Sequence, residues 1–128
     1  MDLDAQYTFT NSHYTSTTTG DPSGVQLGGI PRNLATVALS WRPVERWSLT
    51  GSLRYNDAMF LDVGRTLFQP SFTLVGLSTT YQVTPRVSLY GSAVNLAGNV
   101  YTDNATTSAS SETLGMPRAF TGGLRWKF

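Results

Sequence analysis

The 128-residue chain contains no cysteine and a single histidine, His13. These two shortages remove a disulfide framework, thiolate zinc sites, a cysteine nucleophile and multi-histidine metal centres. Charge is scarce as well. Charged side chains make up 13% of the sequence, about half of the roughly 25% usual in soluble domains. Nine Lys+Arg against eight Asp+Glu leave a net charge of +1, without the basic excess of a nucleic-acid surface, so no nucleic-acid partner is expected. Nowhere do 18 apolar residues follow one another, which argues against a helical membrane span. Met1-Asp2-Leu3-Asp4 offers neither the basic nor the apolar region of a signal peptide. Met1 leads straight into a patterned segment and need not be a natural start.

What is present is a period of two. It recurs in six segments separated by clusters of Gly, Pro, Ser, Thr, Asn and Asp, and helix has almost no support. Leu3, Ala5, Tyr7 and Phe9 alternate with Asp4, Gln6, Thr8 and Thr10, putting apolar groups on one strand face and polar groups on the other. Ala35, Val37, Leu39 and Trp41 repeat the pattern, followed by Trp47, Leu49, Leu53 and Tyr55. A fourth segment, from about 72 to 83, carries Val75, Leu77, Tyr81 and Val83 on its apolar face. The fifth, from about 86 to 101, mixes its faces at Tyr90 and Val94, which predicts a bulge or register change near Gly91. Phe120, Leu124, Trp126 and Phe128 close the series. The expected fold is all-β: an antiparallel up-and-down meander of about six strands, read as one unit over 1–128.

Connection lengths alternate too. Short turns at Pro43-Val44-Glu45 and Thr84-Pro85 contrast with long connections over about 15–32, 58–70 and 102–117. Short turns at one end and long loops at the other are the signature of an outer-membrane barrel, which has short periplasmic turns and long extracellular loops. Aromatics sort the same way. Trp41, Trp47, Tyr81, Trp126 and Phe128 fall near the short turns, and Phe9, Tyr55, Phe60, Phe72 and Phe120 nearer the long loops, as two girdles around an aliphatic band require. Alternation with one wet face also describes a soluble antiparallel sheet, a lipocalin or a β-sandwich. The low charge and the loop asymmetry favour the membrane wall.

Several pieces, in this order and spacing, resemble the TonB-dependent outer-membrane receptors, in the six strands that close the C-terminal end of their barrel. They are Gly29-Ile30-Pro31-Arg32, Leu39-Ser40-Trp41-Arg42-Pro43, Trp47 through Tyr55, Tyr81 through Tyr90, the Asn95-Leu96 pair and Gly115-Met116-Pro117-Arg118. The likeness covers nearly the whole chain. One departure is Ala97-Gly98-Asn99, where such receptors often carry an aromatic and an acid after Asn-Leu. The last residues resemble the C-terminal assembly signal of outer-membrane barrels, with Thr121, Gly123, Trp126 and Phe128 in the signal positions. Physically, a final strand with a free edge pairs by β-augmentation with an assembly machine, and terminal aromatics anchor at the lipid interface.

The resemblance implies uptake of a scarce nutrient across the bacterial outer membrane, most readily a ferric siderophore, with vitamin B12, haem and sugars as other cargoes. It implies outer-membrane lipid and the barrel-assembly machinery as partners, together with an upstream plug domain and, through it, the TonB energy-coupling protein. No enzyme activity, cofactor or metal site is expected. Six strands fall short of the eight of the smallest membrane barrels, so the segment reads as part of a larger barrel, consistent with the 22-stranded plugged transporters. A structural or adhesive barrel piece without transport and a soluble β-sheet binding module are the alternatives.

Candidate chemistry is sparse. A Ser-His-Asp hydrolase would have to use His13, which no fixed Ser or acid spacing accompanies. Asp57, Asp62, Asp103 and Glu112 are oxygen ligands of the kind that hold calcium, but their spacing matches no calcium loop, so they read as solvated loop charges. The Gly-rich stretch 20–29 lacks the Lys of a phosphate loop, and Asn104-Ala105-Thr106 reads as a chance glycosylation match. Arg54 and Arg125 on the polar face, with Lys127, are suited to an anionic chelate or to acids of a plug, the second being preferred. Tyr55 and Asn56, high on the third segment, are together with Arg54 the expected ligand-binding residues.

Overall fold

Alternation commits each strand to two faces, and the register of pairing decides whether those faces add up across a sheet. The computed structural model describes residues 1–15, 24–62, 64–105 and 112–128. Ten strands follow in chain order: β1 (Asp2–Phe9), β2 (Asn33–Val44), β3 (Trp47–Asn56), β4 (Met59–Phe60), β5 (Phe68–Gln69), β6 (Phe72–Thr84), β7 (Val87–Val94), β8 (Thr102–Ala105), β9 (Glu112–Leu114) and β10 (Ala119–Trp126). Six of them form one sheet in the order β1-β2-β3-β6-β7-β10, and β4-β5 and β8-β9 are separate two-stranded hairpins. All pairs in the large sheet are antiparallel and each joins neighbours along the chain of long strands. The expected all-β meander of six strands is therefore the fold. β4-β5 and β8-β9 lie in the second and third long connections, where no strand was expected.

The register brings like with like. Leu3 pairs with Leu39, Leu39 with Gly51, Gly51 with Leu77, Leu77 with Ala93 and Ala93 with Phe120, a continuous apolar row across all six strands. One residue over, on the opposite face, Asp2, Ser40, Thr50, Ser78, Ser92 and Thr121 make an equally continuous polar row. No described residue covers the apolar face: Leu3 is 67% exposed, Tyr7 64% and Trp126 63%. Phe72 and Ala93 are the buried hydrophobic residues among those described. An apolar sheet face left open in water is an aggregation surface, and a bilayer is one cover that such a face fits. The three longest strands have 12, 10 and 13 residues, enough for the roughly 9–11 residues with which a tilted strand crosses a membrane.

The fifth segment needs correction on two counts. Its strand stops at Val94, not near residue 101, and Gly91 pairs with Thr79 and Gly122 in unbroken register, with no bulge. The register shifts sit instead beside the two short turns, between Trp41 and Val44 and between Gln82 and Thr84. The mixing of faces has another cause. Tyr90 lies on the polar face against Gly123, where a Cβ would overlap its ring, and the Arg125 guanidinium sits 5.9 Å from the ring centre. The aromatic thus occupies space that the glycine leaves empty, and the strand need not bend.

Asn95 ends the strand. Its φ of 50° lies in the left-handed region that asparagine tolerates better than most residues, and its side chain is 5% exposed. The amide nitrogen donates to the carbonyls of Asn99 (2.7 Å) and Met116 (3.0 Å), and its oxygen accepts from the Asn99 N–H at 3.0 Å. One buried side chain thereby ties both ends of the third long connection. Asn95→Ala leaves two carbonyls and an N–H without partners, at a cost of about 1–3 kcal/mol. Lower unfolding stability in detergent, with faster exchange of the Asn99 amide, is the expected outcome; unchanged exchange there would contradict this role.

Candidate ligand-binding site

The long connections do not stand apart. The Gly29 N–H donates to the Phe60 carbonyl at 2.8 Å, joining the first connection to the second. The Thr102 N–H donates to Gln69 Oε1 at 2.8 Å, joining the third to the second. Gln69 is 5% exposed, and this buried amide is a residue that sequence pattern alone did not single out. Asn99 adds a bond from its side-chain nitrogen to the Thr73 carbonyl at 2.5 Å. The three connections are stitched into a cap over the upper end of the wall.

Beneath the cap, on the polar face, a cavity of about 160 Å³ is lined by Arg54, Asn56, Phe72, Leu34, Leu74, Met59, Tyr101 and Asp103. Phe72 and Tyr101 stack at 4.6 Å with 19° between their planes. Phe72 is therefore a lid-packing residue on the polar face and no member of an outer girdle. Arg54 Nε donates to Asn56 Oδ1 at 3.2 Å. Two of the expected ligand-binding residues, Arg54 and Asn56, thus meet in one cavity.

Tyr55 does not join them. It pairs with Ala35 and Thr73 on the apolar face, because successive strand residues point to opposite sides. Its hydroxyl reaches Asp57 Oδ1 at 3.4 Å. Asn33 Nδ2 donates to Asp57 Oδ2 at 2.6 Å, and Tyr7 donates to Asn33 Oδ1 at 2.6 Å. Two tyrosines, an amide and a carboxylate thus form a polar belt at the upper edge of the apolar face, the height at which amphipathic rings favour a membrane interface. Arg125 and Lys127 lie at the other end of the wall from Arg54, so these three cations serve no common ligand.

A second cavity, of about 420 Å³, opens between the first and second connections. Arg32, Arg65, Phe60 and Phe68 line it. Phe60 and Phe68 pack at 5.3 Å, and the Arg65 guanidinium lies 4.4 Å over the Phe60 ring. Arg65 sits at φ 55°, in a hairpin tip held by Asp62, whose carboxylate accepts from the Thr66 and Leu67 N–H groups at 2.8–3.0 Å and from the Thr66 hydroxyl at 2.7 Å. Those bonds, the Leu67 N–H first, hold the Asp62 carboxyl below its usual pKa. Asp62 thus orders the tip that presents Arg65. His13 takes part through its backbone, bridging to Gln26. Positions 20–23 of the Gly-rich stretch, Thr106 of the sequon and the Glu112 side chain lie outside the described residues. Chemically, cations beside aromatic faces suit a ligand that is both anionic and aromatic.

Residues 1–96 match the family described as TonB dependent receptor-like, beta-barrel. The chain belongs to the TonB-dependent receptor family. The matched stretch runs from β1 through β7 and includes Arg32, Arg54, Asn56, Phe60 and Arg65, while Tyr101 and Asp103 lie beyond it. Solved structures agree on the fold. The siderophore receptor PiuA from Acinetobacter baumannii is 23% identical and superposes on 98% of the chain with a TM-score of 0.84. BauA, the ferric preacinetobactin receptor of the same organism, is 21% identical over 98% at 0.82. The ferric-catecholate import receptor Fiu from Escherichia coli K12 is 18% identical over 98% at 0.75. The matches cover 19%, 20% and 18% of those receptors, so the chain spans about a fifth of their length. Barrels of this family belong to receptors and transporters.

Asp57 supplies a pH handle at this end. The Asn33 hydrogen bond, then the Ala58 N–H, lower its carboxyl below the usual aspartate value against a smaller desolvation, with lesser help from Tyr55 and the charge of Arg32. A folded-state value below the unfolded one stabilises above about pH 4, the ordinary aspartate range, and that contribution is lost as pH falls through the lowered value. Between neutral and acidic pH the Asp57→Asn protein should lose less stability than the parent. Parallel pH profiles of the two in denaturant unfolding would show that the belt holds no ionised carboxylate.

Proposed function

We propose that the chain is the C-terminal stretch of the barrel wall of an outer-membrane receptor that takes up an anionic ferric chelate of the siderophore type. The carrying observation is the stitched cap, which holds Arg32 and Arg65 with Phe60 and Phe68 above the cavity of Arg54 and Asn56. Cargo of an iron-siderophore kind supplies negative charge and flat ligand groups, which guanidinium and phenyl faces bind together. The similar solved receptors import iron chelates by their names, which favours this cargo over vitamin B12, haem or a sugar. In this reading Arg54 and Asn56 contact the cargo and Tyr55 serves the membrane interface. A plug domain upstream fills the lumen and couples to TonB, and the wall is its scaffold. In the full-length protein, Arg32→Gln combined with Arg65→Gln should weaken binding of a ferric catecholate at least about tenfold, the worth of one lost charge-assisted contact. Unaltered binding and radio-iron uptake in a normally inserted double variant would remove Arg32 and Arg65 from the cargo site and overturn the cap as its location.

The same reading assigns Thr121, Gly123, Trp126 and Phe128 to recognition by the barrel-assembly machinery. β10 hydrogen-bonds to β7 on one side only among the described strands, and its other edge is available for β-augmentation. Phe128 lies beyond the strand with its ring stacked on Trp126 at 6.1 Å and 12°, so the two rings form one anchoring surface. Deleting Phe128 from the full-length protein should lower the amount of heat-modifiable barrel recovered from outer membranes. Recovery at the parental level would remove Phe128 from the signal.

A further inference from the structure

At the short-turn end, far from the cap, the polar face gathers charge of one sign. Arg42, Arg46, Arg86, Arg125 and Lys127 line a concavity of about 300 Å³, and Glu45 is the single acid among its lining residues. Five of the nine Lys+Arg of the whole sequence therefore share one small space. Asp2, Asp4, Asp57, Asp62 and Asp103 do not line it, and of these Asp2 shares the lower end of the polar face. Asp2 and Asp4 stand on β1 opposite Ser40 and Ala38, and Asp57 and Asp62 are engaged at the cap.

Backbone bonds hold the cations together against their repulsion. The Gln82 N–H donates to the Arg46 carbonyl at 2.7 Å, binding the β2-β3 turn to β6, and the Lys127 N–H donates to the Arg86 carbonyl at 2.8 Å, binding the end of β10 to the β6-β7 turn. Arg125 is further fixed by Tyr90, which its guanidinium approaches to 5.9 Å. Hydroxyls of Ser48 and Ser88 stand in the same concavity and add neutral donors. Guanidinium groups bind carboxylate and phosphate oxygens through paired N–H bonds, and a cleft lined by one sign of charge concentrates counter-ions. Pre-organised cations with little internal compensation form a receptor for negative charge.

We propose that this floor of the polar face is an anion site, separate from the cap, that takes a multivalent oxyanion bearing several carboxylate or phosphate groups. Its opening into a barrel lumen rests on the reading above; the charge and its ordering do not. Two sources carry this chemistry: a free solute passing the wall, and acidic side chains of the domain that fills the lumen. Citrate titrated into the full-length protein in detergent at low ionic strength separates them. For a solute site, citrate binds, and Arg86→Gln combined with Arg125→Gln weakens it at least about tenfold. Arg118→Gln, near the cap, leaves it unchanged, and Arg86→Lys with Arg125→Lys restores most of it. For a site filled by the protein's own carboxylates, citrate does not bind, and the Gln pair lowers the melting temperature while Arg118→Gln does not. Neither citrate binding nor a specific loss of melting temperature, or equal losses in the Arg118 variant, would overturn the proposal. Chelate binding by the Arg32 and Arg65 variants reads the cap alone, so a negative result there leaves this titration standing.

Discussion

Everything in this structure hangs on a sheet one layer thick whose apolar face no described residue covers. In a water-soluble domain a second layer supplies that cover and a core forms between the two. Here no described side chain is fully buried, and the apolar rows run uninterrupted from β1 to β10. Such a surface is stable only against hydrocarbon, and hydrocarbon in turn demands that each backbone N–H and C=O find its partner within the wall. The long antiparallel ladders meet that demand, and antiparallel pairing permits short turns at one end.

Without a core, buried and half-buried polar side chains take over the task of fixing the chain where the ladders stop. Asn95 ties the two ends of the third connection, Gln69 joins the second connection to the third, and Asn33 joins β2 to the residue that follows β3. Each is an amide with both donors and an acceptor, able to bond to backbone or side chains from different segments at once. The cap that results is an ordered surface. The lower end is ordered differently, by turns whose backbones bond directly to the neighbouring strand ends. Charge and aromatic groups specialise at the two ends, while the polar side of the wall between them is mostly small residues and hydroxyls such as Ser40, Thr50, Ser52, Gly76, Ser78 and Ser92.

Much of the wall was legible from single residues. Leu39, Leu53 and Val75 announce their face by period two, and the pairing of Val37 with Leu53 and of Leu53 with Val75 keeps those faces together. The short turns and the long connections were equally plain, and so was the family, through the ordered series of motifs. Less was legible where alternation ends. Asn95 leaves the strand through its own backbone angle and side-chain bonds, and Tyr90 faces the polar side because Gly123 leaves room across the sheet. Neither cause is local in sequence. Tyr55 and Asn56 are adjacent, yet pleating sends one to the apolar face and the other under the cap.

By itself, then, the sequence determined the class of fold, the number of long strands, the face each presents and the family, because period two is a property of neighbouring residues and survives in any register. Only the tertiary structure decided which residues share a space. Arg54 with Tyr101, Phe60 with Arg65 beside Arg32, and the five cations at the lower end come from separate segments. Their meeting depends on register, on turn closure and on buried amides that bridge the connections, and a one-dimensional pattern records none of those distances.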